Sequence, residues 1–149
     1  MKMASSEGPL LLLDTNALLA LAWPNHQFHS AVVRRLDRRP TPQWATCLLT
    51  QLGFVRLSSN PGIVDVRKTP GQALDLLRRL IADKYHSYLE VLPSLASIES
   101  TLRPLLGHQQ VTDAYLVAVA EANDATLLTL DQRLVATVVA RNRVEALIP

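Results

Sequence analysis

A single cysteine, Cys47, excludes an internal disulfide and fits a reducing, cytoplasmic setting. Aromatic residues make up only 5 % of the chain, so stacking on rings is not its main means of holding a ligand. No run of about 18 apolar residues occurs, and a membrane-spanning helix is excluded with it. Lys2 precedes an apolar stretch, but Asp14 interrupts that stretch and no small-residue cleavage pattern follows. We therefore expect core there rather than a secretory leader. No glycine-rich loop follows the first apolar run, which removes the P-loop and dinucleotide-binding folds. Charge of one sign is also scarce: 15 basic residues stand against 13 acidic ones. Arginine outnumbers lysine twelve to three, and the guanidinium suits bidentate phosphate contacts.

What remains is an ordinary globular composition, 48 % apolar and 19 % charged over 149 residues. It predicts a flexible N-terminal tail over Met1–Gly8 and a single domain over residues 9–149. The run from Pro9 to Trp23 reads as a buried strand over 10–14 and a helix over 16–23, divided by Asp14-Thr15-Asn16. Helices are expected over 25–39, 47–57, 70–81, 94–105 and 112–123, and from Asp131 to about Ala140. Thr69 caps the third of these with Pro70 in its first turn, and Thr112 is expected to cap the fifth. Strands are expected over 43–46, 88–92, 126–130 and 144–147. Apolar strands alternating with helices imply a mainly parallel sheet covered by helices on both faces. In such sheets ligands bind beyond the carboxyl ends of the strands.

Asp14 and Asp131 follow strands, and Asp113 opens the apolar helix between them. Taken singly, each is a helix N-terminal residue, where Asp is favoured by capping and by the macrodipole. Taken together in a parallel sheet, they emerge on one edge, and their mutual repulsion calls for a cation. Oxygen-only ligands suit Mg²⁺ or Mn²⁺. A metal on carboxylates without a nucleotide cradle points to a phosphodiester as substrate. Setting the three aspartates aside leaves 15 basic against 10 acidic residues, a surface suited to a polyanion. Candidate phosphate contacts are Arg34, Arg35, Arg38, Arg39, Arg67 and Lys68, each also readable as a solvated side chain. His26 and His29 have zinc-compatible spacing but no third ligand, His108 reads as a solvated loop residue, and Cys47 as a small core residue.

Asp14-Thr15-Asn16 after a leucine-rich strand, Asp113-Ala114-Tyr115-Leu116-Val117-Ala118 on a late helix, and Leu128-Thr129-Leu130-Asp131 resemble PIN domains. The stretch from Trp44 to Arg56 is similar to the toxin branch, the VapC-type ribonucleases of type II toxin–antitoxin pairs. The resemblance runs from about Leu10 to Leu147. It implies a three-layer α/β/α sandwich, Mg²⁺- or Mn²⁺-dependent cleavage of RNA, a homodimer, and neutralisation by a small VapB-type antitoxin. It carries the family's first, third and fourth acidic positions onto Asp14, Asp113 and Asp131, the expected metal ligands. Asn16 matches the polar residue that orients the first Asp, and Thr129 the hydroxyl that accompanies the last.

Gln51 departs from the pattern, because the family places an acid, usually Glu, at this position. Glutamine keeps the length and one carbonyl oxygen and loses the charge, so a water or outer-sphere role at the site is what it retains. The expected activity is that of an endoribonuclease with Asp14, Asp113, Asp131, Gln51 and Asn16 in its site. The alternatives are a catalytically silent RNA- or antitoxin-binding module, and a plain α/β domain whose aspartates cap helices.

Overall fold

The computed structural model describes residues 8–60, 68–105, 107–137 and 141–149. Five strands form one all-parallel sheet: β1 (Leu10–Leu13), β2 (Gln43–Cys47), β3 (His86–Leu89), β4 (Thr126–Thr129) and β5 (Val144–Ala146). Their order is β3-β2-β1-β4-β5, so β1 is central. Leu11, Leu12 and Leu13 are fully buried, which is why β1 reads as an unbroken apolar run.

Alternation along the strands sorts the core into two clusters. Leu11, Leu13, Trp44 and Leu128 face α1 (Thr15–Ala22), α2 (His29–Asp37), α3 (Leu48–Ser58) and α4 (Pro70–Ile81). Leu12, Ala45, Cys47 and Leu127 face α6 (Val111–Ala122) and α7 (Gln132–Thr137). A one-turn helix, α5 (Glu99–Leu102), precedes α6. The result is the expected three-layer α/β/α sandwich. No helix among the described residues is long and apolar enough to cross a membrane.

Local chemistry sets the element ends. Thr69 Oγ1 accepts the Gln72 N–H at 3.1 Å while Gln72 Oε1 accepts the Thr69 N–H at 2.9 Å, a reciprocal cap with Pro70 just inside. The helix expected from residue 25 begins only at His29. His26 Nδ1 accepts the Phe28 N–H at 3.0 Å, and this local bond holds the chain in a turn. The strand expected over 88–92 is displaced to His86–Leu89. Its partner β2 ends at Cys47, so residues 90–92 have no ladder to join. The helix expected over 94–105 shrinks to a 3-10 turn (Ala96–Ile98) and α5. Ser94 and Ser97 bond each other's backbone there, and Leu95 is exposed with no core to drive a longer helix. Thr112 is not a cap, because a 3-10 turn (His108–Gln110) starts α6 one residue earlier, at Val111. Residues 1–7 of the expected tail and 138–140 of the last expected helix lie outside the described residues.

Candidate functional site

The chain leaves β1 for β2 on one side and returns to β4 on the other. That reversal opens a crevice at the carboxyl ends of β1 and β4, where open parallel sheets bind ligands. Asp14 closes β1, its N–H donating to Leu128 O at 3.0 Å. Thr129 ends β4, and Asp131 follows two residues later. Asp113, in the first turn of α6, is the third acid brought to this edge.

Asp14 is buried, 6 % exposed. Its Oδ1 accepts the Ala17 N–H at 2.7 Å, capping α1, and its Oδ2 accepts the Thr129 hydroxyl at 2.5 Å. Burial pushes its carboxyl up to about 6; the bonds from Thr129 and Ala17 oppose the rise, and the charges of Asp113 and Asp131 add to it. Asp113 is half-buried, and burial followed by the Asp131 charge raises its carboxyl too. Asp131 goes the other way. Arg133 Nε donates to its Oδ1 at 3.1 Å and Arg133 Nη2 to its Oδ2 at 3.2 Å, and these bonds hold its carboxyl below the usual range. The Arg133 N–H also donates to Oδ1, at 3.0 Å, and the Thr129 Oγ1 accepts the Asp131 N–H at 3.1 Å.

One cap explains Asp14's bond to Ala17, but not a buried carboxylate repelled by two others. The donor set is hard oxygen, as Mg²⁺ and Mn²⁺ require. Among the described residues no three His, Cys, Asp or Glu side chains close on a single point. Asp14 and Asp113, whose charges repel each other, are the residues that could hold such a cation, with water completing the shell as Mg²⁺ commonly takes. Asp131 stands at the rim, tied to Arg133.

The PIN-domain family model matches residues 11–139. This chain belongs to the PIN-domain family. It is 34 % identical over 124 residues to Ribonuclease VapC39 of Mycobacterium tuberculosis, covering 83 % of this chain and 89 % of that protein. To Ribonuclease VapC38 of the same organism it is 38 % identical over 122 residues, covering 82 % and 85 %. These relatives put it in the VapC branch. Its fold matches VapBC2 from Rickettsia felis, crystallised with a DNA fragment from their promoter, with a TM-score of 0.56 at 13 % identity, over 92 % of this chain and 98 % of that one.

The other expected residues of this PIN domain fall in different places. Asn16 is exposed on the first turn of α1, and Asp14 is oriented by Ala17 and Thr129. Gln51, on α3, donates from Nε2 to Thr46 Oγ1 at 2.9 Å. Arg35 must be struck from the phosphate contacts. It is buried, and its guanidinium binds both oxygens of Glu145 on β5, with Nε–Oε2 at 2.5 Å and Nη2–Oε1 at 3.1 Å. Arg38 joins this pair at 3.7 Å and Arg39 donates to Thr41, while Arg34 is exposed. Arg67 lies outside the described residues. Lys68 sits over the Trp23 ring, 5.5 Å from its centroid. His26 and His29 each commit Nδ1 to the backbone, to Phe28 N and Ala20 O, and make no metal pair. Sequence reasoning missed Arg133, although a cation two residues beyond a capping Asp is the available signal. It also missed Gly53 on α3. A Cβ at that position would lie 2.6 Å from Thr15 Oγ1, so the glycine lets α3 press against the residue next to Asp14.

Proposed function

We propose that this PIN domain is a toxin of a toxin–antitoxin pair, an endoribonuclease that needs Mg²⁺ or Mn²⁺ and is neutralised by a VapB-type antitoxin. The observation that carries the reading is Asp14, a buried carboxylate held at about 6 beside two further acids at the switch point of a parallel sheet. A carboxylate that costly to ionise is retained where a cation relieves it. The names of the Mycobacterium tuberculosis relatives support RNA as substrate.

In this reading Asp14 and Asp113 hold the metal. When bound, it supplies Lewis acidity at a phosphate oxygen and lowers the pKa of water. Thr129 Oγ1 and the Ala17 N–H fix both oxygens of Asp14, so the carboxylate meets its ligand without reorganising. Asp131, kept ionised by Arg133, holds negative charge at the rim and anchors the start of α7. Gln51 takes an outer position, bringing an amide where the branch has an acid. Exposed Arg34, Arg78 and Arg79 add surface cations that attract a polyanionic substrate.

Two surfaces support the partners. A groove of about 470 Å³ between α2, the start of β2 and α4, lined by Leu21, Val33, Leu36, Leu80 and Tyr85, suits an antitoxin segment. Leu48, Leu49, Leu92, Leu95 and Val111 are exposed around a second apolar hollow of about 500 Å³ beside α6, which suits a homodimer. The test is RNA cleavage by the purified, antitoxin-free protein with Mg²⁺, Mn²⁺ or EDTA, alongside Asp113→Asn and Gln51→Glu. Metal-dependent cleavage abolished by Asp113→Asn is the expected result. A second reading, a binding module without catalysis, is favoured by the neutral Gln51 alone. It predicts a silent wild type and a Gln51→Glu variant that cleaves.

A further inference from the structure

Thr46 Oγ1 lies between two nitrogens, Gln51 Nε2 at 2.9 Å and His86 Nε2 at 2.8 Å. Thr46 is fully buried on β2, so its hydroxyl has no bulk water to turn to. A hydroxyl carries one proton and two lone pairs, and buried between these two neighbours it places that proton only by donating to one while accepting from the other. With the amide nitrogen of Gln51 as donor, Thr46 must give its own proton to His86, whose Nε2 must then be bare. The reverse chain, with His86 Nε2–H donating, requires the Gln51 carbonyl to turn toward Thr46 and the NH₂ to turn away.

The amide orientation, with Gln51 Nε2 toward Thr46, is that of the first chain, and the surroundings of His86 permit it. The ring is half-buried, with its centroid 4.7 Å from that of Trp44 in an edge-on contact, and Trp44 Nε1 donates to Asp83 Oδ2 at 2.6 Å. Burial holds His86 well below its ordinary value, at about 4, against a smaller opposing pull from Asp83. The ring is thus neutral at neutral pH, with one nitrogen bare.

We propose that Thr46 and His86 are positioning residues that fix the polarity of Gln51, leaving its carbonyl oxygen as the atom offered to a cation or its water. This rests on the metal-dependent reading above. It also explains how a neutral residue serves at an acidic position. An ionised glutamate here, as in the Gln51→Glu variant, has no proton to give. Thr46 would have to donate to it, and His86 would have to carry its proton on Nε2. Gln51 with an Nδ1–H His86 is one matched set, and a glutamate in its place with an Nε2–H His86 is the other.

Nitrogen-15 imidazole NMR of the full-length, metal-free protein at pH 7.5 reads the tautomer directly, with the His86 signals assigned by their loss in His86→Asn. The expected result is Nδ1–H in wild type and a switch to Nε2–H in Gln51→Glu. Wild type already in the Nε2–H form, or a tautomer unmoved by Gln51→Glu, overturns the proposal. Manganese binding, followed by electron paramagnetic resonance, supplies the second arm. Thr46→Val is expected to weaken Mn²⁺ binding roughly tenfold in the wild-type background and to have little effect in the Gln51→Glu background. An equal loss in both backgrounds makes Thr46 merely structural and overturns its positioning role. No Mn²⁺ binding in either background overturns the metal reading and the use assigned to the carbonyl, while the tautomer is still decided by the spectrum.

Discussion

Replacing Asp14 with asparagine keeps the shape of the β1–α1 corner and removes one buried charge. The amide oxygen still accepts from Ala17, and the cap survives because Asn and Asp cap equally well. The folded carboxyl titrates near 6 against an ordinary 3.8. Between those values the folded chain keeps a proton that the unfolded chain releases, so stability falls as pH rises through that window. Above pH 6 the full penalty applies, about 3 kcal/mol for a shift of this size. That penalty is already net of the Thr129 and Ala17 bonds, which lower the value. The gain for Asp14→Asn is therefore about 3 kcal/mol at pH 8, or roughly 6–12 °C in Tm for a domain of this size. At pH 4 most of the gain disappears. Thermal melts in EDTA at both pH values measure it, and adding Mn²⁺ should then raise the Tm of wild type but not of the variant. A variant no more stable than wild type at pH 8 would refute the reasoning, because it would leave Asp14 as nothing beyond a helix cap.

Three further outcomes are expected. Gly53→Ala adds a methyl 2.6 Å from Thr15 Oγ1 and should destabilise the fold by about 1–2 kcal/mol in urea melts despite alanine's better helix propensity. Arg35→Ala leaves Glu145 paired only with Arg38 at 3.7 Å. It should cost about 3 kcal/mol by the same measurement, whereas Arg34→Ala should fall within about 0.5 kcal/mol of wild type. Arg133→Ala frees Asp131 Oδ2 and leaves Oδ1 only the backbone N–H of residue 133, and it should tighten Mn²⁺ binding by up to about fivefold with little change in Tm, as calorimetric titration would show.

The centre of the fold and two corners of the site were legible because their residues conflict with any simpler use. Four leucines ending abruptly in Asp-Thr-Asn must be a buried strand meeting a polar edge, and Thr69-Pro70 with Gln72 can hardly be anything but a helix start. What escaped depends on partners far along the chain or on missing ones. Arg35 reads as one more solvated cation until β5 brings Glu145 to it from 110 positions away. The stretch from Tyr88 to Leu92 has strand character, but the sheet offers it nothing past Cys47. His86 carries no local mark at all. Its bond to Thr46 arises only from the pairing of β2 with β3.

The central position of β1 has a consequence for the order in which a nascent chain matures. Leu10–Leu12 pair with Gln43–Ala45 soon after both are made, but the opposite edge of the strand waits for Thr126–Leu128. Asp14 waits with it, because the hydroxyl that fixes its carboxylate is 115 residues downstream. At about 5–20 residues per second, that is an interval of several to some twenty seconds in which the first acid exists without the last strand. A ribosome halted within it leaves a fragment with an open strand edge, and the three acids come together only once β4 and Asp131 have been made.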